Sequence, residues 1–455
     1  MITGDELNNK RIAVLGAGVS GKAIAELARK LGASVFVSDS GKLSAETAAD
    51  LKAAGITWED NGNTTRLLDA DEIVISSGIS PDNAMLKEAA LRGVPVVGEL
   101  DFVYPYLSGT IIAVTGSNGK TTTASMTGYL LDRAGYVTVT AGNIGNPIAK
   151  AAGIEYDFIV LELSSFQLYW ADKFRCDVAI VTNLAPDHIN WHGSYEKYVE
   201  AKSKIIKSLY EGGAAIIQKN DVRTLGADSV ASFPLSWGSP EECEPGIYMD
   251  EKTNAAYLSG GGHGLIHRLF SFSDVKLLGA HNLENTAMAT AALSLFNINI
   301  TGEMISSYVP PKHRCAFAGE ANGIIFVDDS KGTNVAATVT AMRSLPGNKI
   351  IILGGQGKGE DYAPLADAVV KYTTFAVLLG EEKERIASAL KSAGYSSFTF
   401  VSTMDEAVET AYSKATSGDT ILLSPACTSW DMYPNYGARG EHFCNIVKSI
   451  ISREK

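Results

Sequence analysis

Short apolar runs, each closed by glycine or a polar cluster, alternate with longer mixed stretches along the whole chain. Apolar β-rich runs bounded by turn residues predict strands, and the stretches between them predict helices. In the first part, Arg11–Leu15, Ser34–Ser38, Glu72–Ser76 and Val94–Val97 read as strands, with a helix running to about Leu31. In the second, Ile111–Val114, Val137–Thr140, Phe158–Leu161 and Val178–Val181 read as strands, with helices over Thr121–Leu131 and Ser194–Tyr210. Residues 213–279 are β-rich with Gly and Ser turns and reveal no role; a helix then starts near Asn282. Pro310-Pro311 reads as a stiff linker. In the third part, Ile324–Val327, Ile350–Leu353, Ala376–Leu379, Phe398–Val401 and Ile421–Leu423 alternate with helices, and a last helix closes the chain. Such alternation predicts an α/β protein with helices packed on mainly parallel sheets. The expectation is three domains, at residues 1–98, 99–311 and 312–455.

Composition narrows the class. A hydrophobic fraction of 45% over 455 residues allows each domain its own core. The net charge is −12 with no long basic run, which argues against a nucleic-acid surface. Anionic ligands must then be met by local clusters, not by the global field. The five cysteines, Cys176, Cys243, Cys315, Cys427 and Cys444, show no CxxC spacing. That spacing points to reduced thiols and a cytoplasmic protein. No apolar run approaches the ~20 residues of a membrane span, and MITGDELNNK is too polar for a signal peptide.

The chemistry concentrates after strands. Thr110–Thr123 reads TIIAVTGSNGKTTT, a strand, a glycine-bearing loop and a helix carrying Lys120 and Thr121. Loop N–H groups and a helix N-terminus attract phosphate, the lysine adds charge, and the threonine hydroxyl suits Mg²⁺. Val114 stands where the longer GxxxxGK[ST] pattern has its first glycine, so this is a tighter GxxGKT. The bland reading of a bare GKT is a surface turn; the flanking strand and helix favour nucleotide binding.

Two further runs deliver polar groups to the same sheet edge. Glu162 ends one strand, in LELSSFQL; Asn183, Asp187 and His188 follow another, in TNLAPDHINWHG. Ligands of open α/β sheets sit at the C-terminal ends of strands. A carboxylate and an imidazole there suit a metal, although His is an unusual Mg²⁺ ligand and a capping or core histidine is the alternative. Of Lys197, Lys202, Lys204 and Lys207 on the following helix, spacing alone selects none. Asn282 and Asn285 share a helical face and could bond a base or ribose; Asn282 as an N-cap is the alternative.

The first domain carries GAGVSG between strand and helix, with Asp39 about 20 residues on, a dinucleotide fingerprint. The same loop holds any diphosphate, and Asp39 could equally be a strand-end turn residue. In the third domain, Asp329–Thr333, Lys358 and Ser424–Arg439 again follow strands.

TGSNGKTTT, AGNIGNP, LELSSFQL, TNLAPDH, GAHNLEN, KHR, DDSKGTN and GGQGKGEDY occur in this order over nearly the whole chain. The set resembles the Mur ligases, the ATP-dependent amino-acid ligases of peptidoglycan precursor synthesis. LLSPACTSWDMYPNYGARGEHF, with the GAGVSG first domain, resembles the branch that adds D-glutamate to UDP-N-acetylmuramoyl-L-alanine (UDP-MurNAc-L-Ala).

The resemblance implies a Rossmann-like N-terminal domain for the UDP substrate, a central P-loop-type ATP-binding domain and a Rossmann-like C-terminal domain for the amino acid. It implies ATP and two Mg²⁺ ions, small-molecule substrates, no nucleic-acid or membrane partner, and a cytoplasmic monomer. ATP would meet Gly116, Ser117, Asn118, Gly119, Lys120, Thr121 and Thr122, with Asn282, Arg314, Asp329 and Lys331 from later motifs. Lys120, Asn143, His188 and Lys202 would be catalytic. Thr121, Glu162, His188 and a carbamylated Lys202 would hold metal. Gly18, Val19, Ser20, Asp39, Ser77, Gly78 and Ile79 would meet the UDP substrate. Lys331, Thr333, Lys358, Ser429 and Tyr436 would hold D-glutamate; Tyr436 stands where the family often has Phe. Ser40-Gly41-Lys42 lacks an Arg that some members carry after the aspartate.

Competing readings make different demands. A ligase for L-alanine or a diamino acid would change the C-terminal SPACTS stretch, and a folylpolyglutamate-type enzyme lacks such a first domain. A nucleotide-sensing regulator would need none of Glu162, His188 or Lys202. A P-loop motor would need a clear Walker-B partner, which the sequence does not show.

Overall fold

The structure, a computed structural model, describes residues 5–144, 146–240, 244–260, 266–277, 279–310, 312–345 and 347–454. Pro311 of the linker, Gly145 of the AGNIG run, Cys243 and parts of the 213–279 stretch lie outside the described residues.

Three α/β domains follow one another, each built on its own sheet. The first sheet contains β1 (Arg11–Leu15), β2 (Ser34–Ser38), β3 (Thr57–Glu59), β4 (Glu72–Ile75) and β5 (Val96–Gly98). Its order is β3-β2-β1-β4-β5, parallel throughout. The strand order reverses between β1 and β4, so the loops after these strands open a crevice at that edge. β3 is a three-residue edge strand that the apolar pattern does not reveal.

The central sheet contains β6 (Ser108–Thr115), β7 (Thr138–Gly142), β8 (Glu155–Glu162), β9 (Cys176–Val181), β10 (Leu209–Gln218), β11 (Ala231–Trp237), β12 (Gly246–Asp250), β13 (Ala255–Ser259) and β14 (His267–Ser271). Its order is β14-β13-β12-β11-β10-β9-β6-β8-β7. Only the β12–β13 and β13–β14 pairs are antiparallel. The β-rich stretch without an assigned role thus extends this sheet at one edge. The helix expected over Ser194–Tyr210 runs from Tyr195 to Lys207, because Leu209 already pairs with Cys176 in the sheet.

The third sheet contains β15 (Ala316–Ala321), β16 (Ile324–Asp328), β17 (Lys349–Gly354), β18 (Phe375–Leu379), β19 (Phe398–Phe400) and β20 (Thr420–Leu423). Its order is β15-β16-β20-β17-β18-β19, and β15 is antiparallel to β16.

Helices cover both faces, which is why the central strands read as unbroken apolar runs. Ile112, Ala113 and Val114 of β6 are fully buried, as are Ile350 to Leu353 of β17. One apolar core runs from Ile12 and Val14 of the first sheet through Leu100 and Phe102 into Ile159 and Val181 of the central sheet. The third domain has separate cores on the two faces of its sheet. It meets the central domain largely through polar side chains, and that contact forms the site.

Candidate functional site

The phosphate loop is held from below. β6 lies between β8 and β9, so its C-terminal end is flanked by theirs. Gly116 sits at φ +141°, and a Cβ there would fall 1.9 Å from the Thr182 hydroxyl. The loop therefore closes onto the strand beside it only with glycine at this position. The Ser117 N–H donates to the Asn183 carbonyl at 2.9 Å, and the Asn118 N–H donates to Asn183 Oδ1 at 3.0 Å. Ser117 Oγ bonds the Ala185 carbonyl and the Tyr198 hydroxyl, each at 2.8 Å. Gly119, in the left-handed region, caps the helix Lys120–Arg133. Lys120 Nζ donates to the Gly116 and Ser117 carbonyls, each at 2.8 Å. Burial pushes its pKa down, with nearby Glu162 and Asp187 opposing.

Beside the loop lies a set of groups suited to a hard cation. Glu162 ends β8 and is 1% exposed. Asn143 Nδ2 donates to its Oε1 at 3.1 Å, while Oε2 is buried without a hydrogen-bond partner. A buried carboxylate oxygen is costly to leave unpaired, so this atom fits a bound cation. The His188 ring packs edge-on against Phe166 at 4.7 Å. Burial pushes its pKa down to about 4, leaving a neutral ring able to ligate. Thr121 presents its hydroxyl at the first turn of the helix. Among the described residues no three His, Cys, Asp or Glu side chains converge as a metal cage. A Mg²⁺ that keeps waters and phosphate oxygens needs no such cage.

Lys202 is the group that spacing does not select. It is 1% exposed, and its Nζ donates to the Gly116 carbonyl at 2.8 Å and to Thr115 Oγ1 at 3.2 Å. Burial, reinforced by Lys120, holds its pKa well below the usual lysine value. Only its place among buried helix residues and not on the solvent face distinguishes it from Lys197 and Lys207.

The third domain closes over this edge. Arg314 Nη2 donates to the Thr121 hydroxyl. Asn334 Nδ2 donates to Asp187 Oδ2 at 3.2 Å, and Lys358 Nζ to Asp187 Oδ1 at 3.3 Å. Burial raises the Asp187 pKa, but Lys358, His188 and Lys120 outweigh it and hold the carboxyl below its ordinary value. Asn334 and Phe166 are contributors that sequence reasoning leaves unassigned. Asn334 directly follows Thr333 in DSKGTN, and Phe166 looks like ordinary core in LSSFQL. Asp329 accepts from Ser424 Oγ at 2.7 Å, and burial raises its pKa to about 6. Lys331 Nζ stands 3.9 Å over the Tyr436 ring, and burial lowers its pKa to about 7.

Two cavities result. One of about 440 Å³ brings together Asn118, Gly119, Thr122, Asn282, Arg314, Asp329 and Lys331. Asn282 is not an N-cap: Gly279 precedes the helix Ala280–Ser294, and Asn282 Oδ1 accepts from Asn285 Nδ2 at 3.1 Å. The other, of about 390 Å³, brings together Lys120, Asn143, His188, Lys202, Lys331, Thr333, Lys358, Ser429 and Tyr436. Lys331 lines both.

Gly18, Val19, Ser20, Asp39, Ser77, Gly78 and Ile79 line neither cavity. They follow β1, β2 and β4 on the first sheet. Gly18 caps the helix Val19–Lys30, and Val19 is 70% exposed. Asp39 is engaged with backbone: Oδ2 accepts from the Ala17 N–H at 2.6 Å and Oδ1 from the Gly41 N–H at 2.8 Å. It shapes the glycine loop directly, which a bare turn role does not require.

Three family descriptions match the chain in order. They are the MurD N-terminal domain over residues 11–85, the Mur ligase middle domain over 114–293 and the Mur ligase, glutamate ligase domain over 313–427. The UDP-N-acetylmuramoylalanine--D-glutamate ligase of Natranaerobius thermophilus is 35% identical, covering 96% of this chain and 97% of that protein. The ligase of the same description from Streptococcus pneumoniae is 34% identical, covering 98% and 99%. Among solved structures, the UDP-N-acetylmuramate-alanine ligase MurC of Thermotoga maritima shares the fold, with a TM-score of 0.59 and 18% identity over 97% of this chain and all of that one.

Proposed function

The chain belongs to the Mur ligase family, and on that premise we propose that it joins D-glutamate to UDP-MurNAc-L-Ala with conversion of ATP to ADP and phosphate through an acyl phosphate. The convergence that carries this reading is the 390 Å³ cavity: Lys120, Asn143 and His188 face Thr333, Lys358 and Ser429 from the opposite domain. Relatives alike over their full length are described as D-glutamate ligases.

A carboxylate is a poor acceptor for an amine because oxide is a bad leaving group. Phosphorylating the alanyl carboxylate from ATP makes phosphate the leaving group. The D-glutamate amine then adds to the acyl carbon, and the tetrahedral intermediate collapses to amide and phosphate. Phosphoryl transfer depends on positioning and on neutralising charge along the in-line path. Lys120 and the N–H groups that open the helix Lys120–Arg133 would meet the β- and γ-phosphates; Asn282, Arg314, Asp329 and Lys331, which line the 440 Å³ cavity, would meet adenine and ribose. Asn143 and His188 would orient the alanyl carboxylate. Lys331, Thr333, Lys358, Ser429 and Tyr436 would hold the two carboxylates of D-glutamate.

Thr121, Glu162 and His188 would hold Mg²⁺, two ions by this reading, which would supply charge neutralisation there. Lys202 deepens that fit. Burial disfavours its charged form; as the free amine it would add CO₂ and release one proton to give a carbamate, an anionic oxygen ligand. Gly18, Val19, Ser20, Asp39, Ser77, Gly78 and Ile79 would receive the UDP moiety. Among the described residues no helix is long and apolar enough to cross a membrane. A nucleotide-linked small-molecule substrate suits a cytoplasmic enzyme, and a monomer without a nucleic-acid partner is the state that completes this reading.

The test is phosphate release from ATP with UDP-MurNAc-L-Ala, with D-glutamate against L-glutamate, L-lysine and L-alanine. Release that needs both substrate and D-glutamate supports the reading. Release with another amino acid reassigns the third domain. ATP binding without release under any pairing favours a nucleotide-binding regulator.

A further inference from the structure

We infer that Trp191 is a positioning residue that ties the loop Ser77-Gly78-Ile79 of the first domain to His188 at the reaction centre, coupling capture of the nucleotide-linked substrate to its activation. The inference rests on the reading of this loop as part of the UDP-substrate site.

Trp191 Nε1 donates to the Gly78 carbonyl at 3.0 Å, bridging the first and central domains. Few hydrogen bonds hold the loop. Among the described residues, the other hydrogen bond of 77–79 runs from the Ile79 N–H to the Ser76 carbonyl, at 3.4 Å. Gly78 sits at φ +99°, and a Cβ there would meet nothing within 4 Å. Ile79 anchors the loop on the apolar core of the first domain, and the indole fixes the Gly78 carbonyl on the side facing the central domain.

The same tryptophan is rigidly linked to His188. Trp191 belongs to the single helical turn Ile189–His192, which His188 caps at φ +53°, a conformation uncommon for a non-glycine residue. The Trp191 backbone N–H donates to the His188 carbonyl at 3.0 Å. Phe166 lies against both rings, with centroids 4.7 Å from Trp191 and 4.7 Å from His188. A shift of the Gly78 loop is thereby transmitted to the imidazole through one short turn and one shared aromatic wall.

The two halves of the side chain then have separable jobs. The indole N–H holds the substrate loop, and the ring face supports Phe166 and His188. Trp191→Phe keeps a ring and deletes the N–H; Trp191→Ala deletes both. The experiment is calorimetric titration of UDP-MurNAc-L-Ala into wild type and both variants without ATP, with steady-state phosphate release and thermal melts alongside.

Trp191→Phe is expected to weaken Kd about tenfold and to lower kcat severalfold, because the untethered loop no longer bears on the turn that carries His188. Trp191→Ala is expected to show the same loss in Kd and a further fall in kcat of about tenfold. KM for ATP stays unchanged in both. Wild-type Kd in Trp191→Phe overturns the inference, whatever becomes of Trp191→Ala. Parallel rises in KM for ATP and for the UDP substrate also overturn it, marking general loosening of the fold. A wild-type protein that does not bind UDP-MurNAc-L-Ala overturns the functional reading, and this inference with it.

Discussion

Lys120 and Lys202 donate to the same acceptor: each Nζ lies 2.8 Å from the carbonyl oxygen of Gly116. Burial, and then the neighbouring Lys120, push the Lys202 pKa well below its usual value, because a second positive charge in so dry a place is costly. The two lysines come from different elements, the phosphate-loop helix and the helix Tyr195–Lys207.

Lys120→Ala should remove the cation facing the transferred phosphoryl group. Turnover is expected to fall by about 10³-fold, with near-UV circular dichroism unchanged. Phosphate release at saturating substrates checks this, and a rate near that of wild type sinks the assignment.

Lys202→Ala removes the amine that would carry the carbamate. The variant is expected to lose most of its activity and to regain part of it with added acetate or formate, which supply a carboxylate to the vacated space. Full activity without additive removes the carbamate from the mechanism. Lys202→Arg keeps a cation but cannot form the carbamate, and it is expected to stay inactive with either additive.

Asp39→Ala breaks two bonds to backbone N–H groups in the loops after β1 and β2. The glycine loop loses its shape while the ATP cavity is untouched. KM for UDP-MurNAc-L-Ala is expected to rise at least tenfold with KM for ATP within twofold, and stability to fall by about 1 kcal/mol. Equal effects on the two KM values would make the role of Asp39 purely structural.

Stability should also fall in mild acid through His281. Burial, and then Arg314, push its pKa down to about 4, below the ordinary value of about 6.5 in the unfolded chain. Between these values the unfolded state binds a proton that the folded state refuses. Stability is therefore lost as pH falls through that window. His281→Gln is expected to flatten the slope of Tm against pH between 6.5 and 4.5. An unchanged slope places the acid sensitivity in other groups.

Strand–helix alternation and apolar runs determined, from sequence alone, the α/β class and the central strands of the three sheets, though not where each strand begins and ends, because strands covered on both faces demand continuous apolar residues. The glycine loop with Lys120 and Thr121 was equally legible, since its spacing is local. Edge strands such as Thr57–Glu59 and Ala316–Ala321 were not, because an edge strand is half exposed and mixes polar with apolar positions.

Tertiary structure alone decided which distant groups meet. Lys202 looks like any helix lysine until the helix packs against β6 and buries it. Asn334 and Lys358 are 147 and 171 residues from Asp187 in sequence and reach it only when the third domain closes. Trp191 reads as one more aromatic until its indole bridges to Gly78. Periodicity records the face a residue shares with its neighbours three or four positions away. The partner it meets across a domain interface depends on rigid-body packing, which leaves no local signature in the chain.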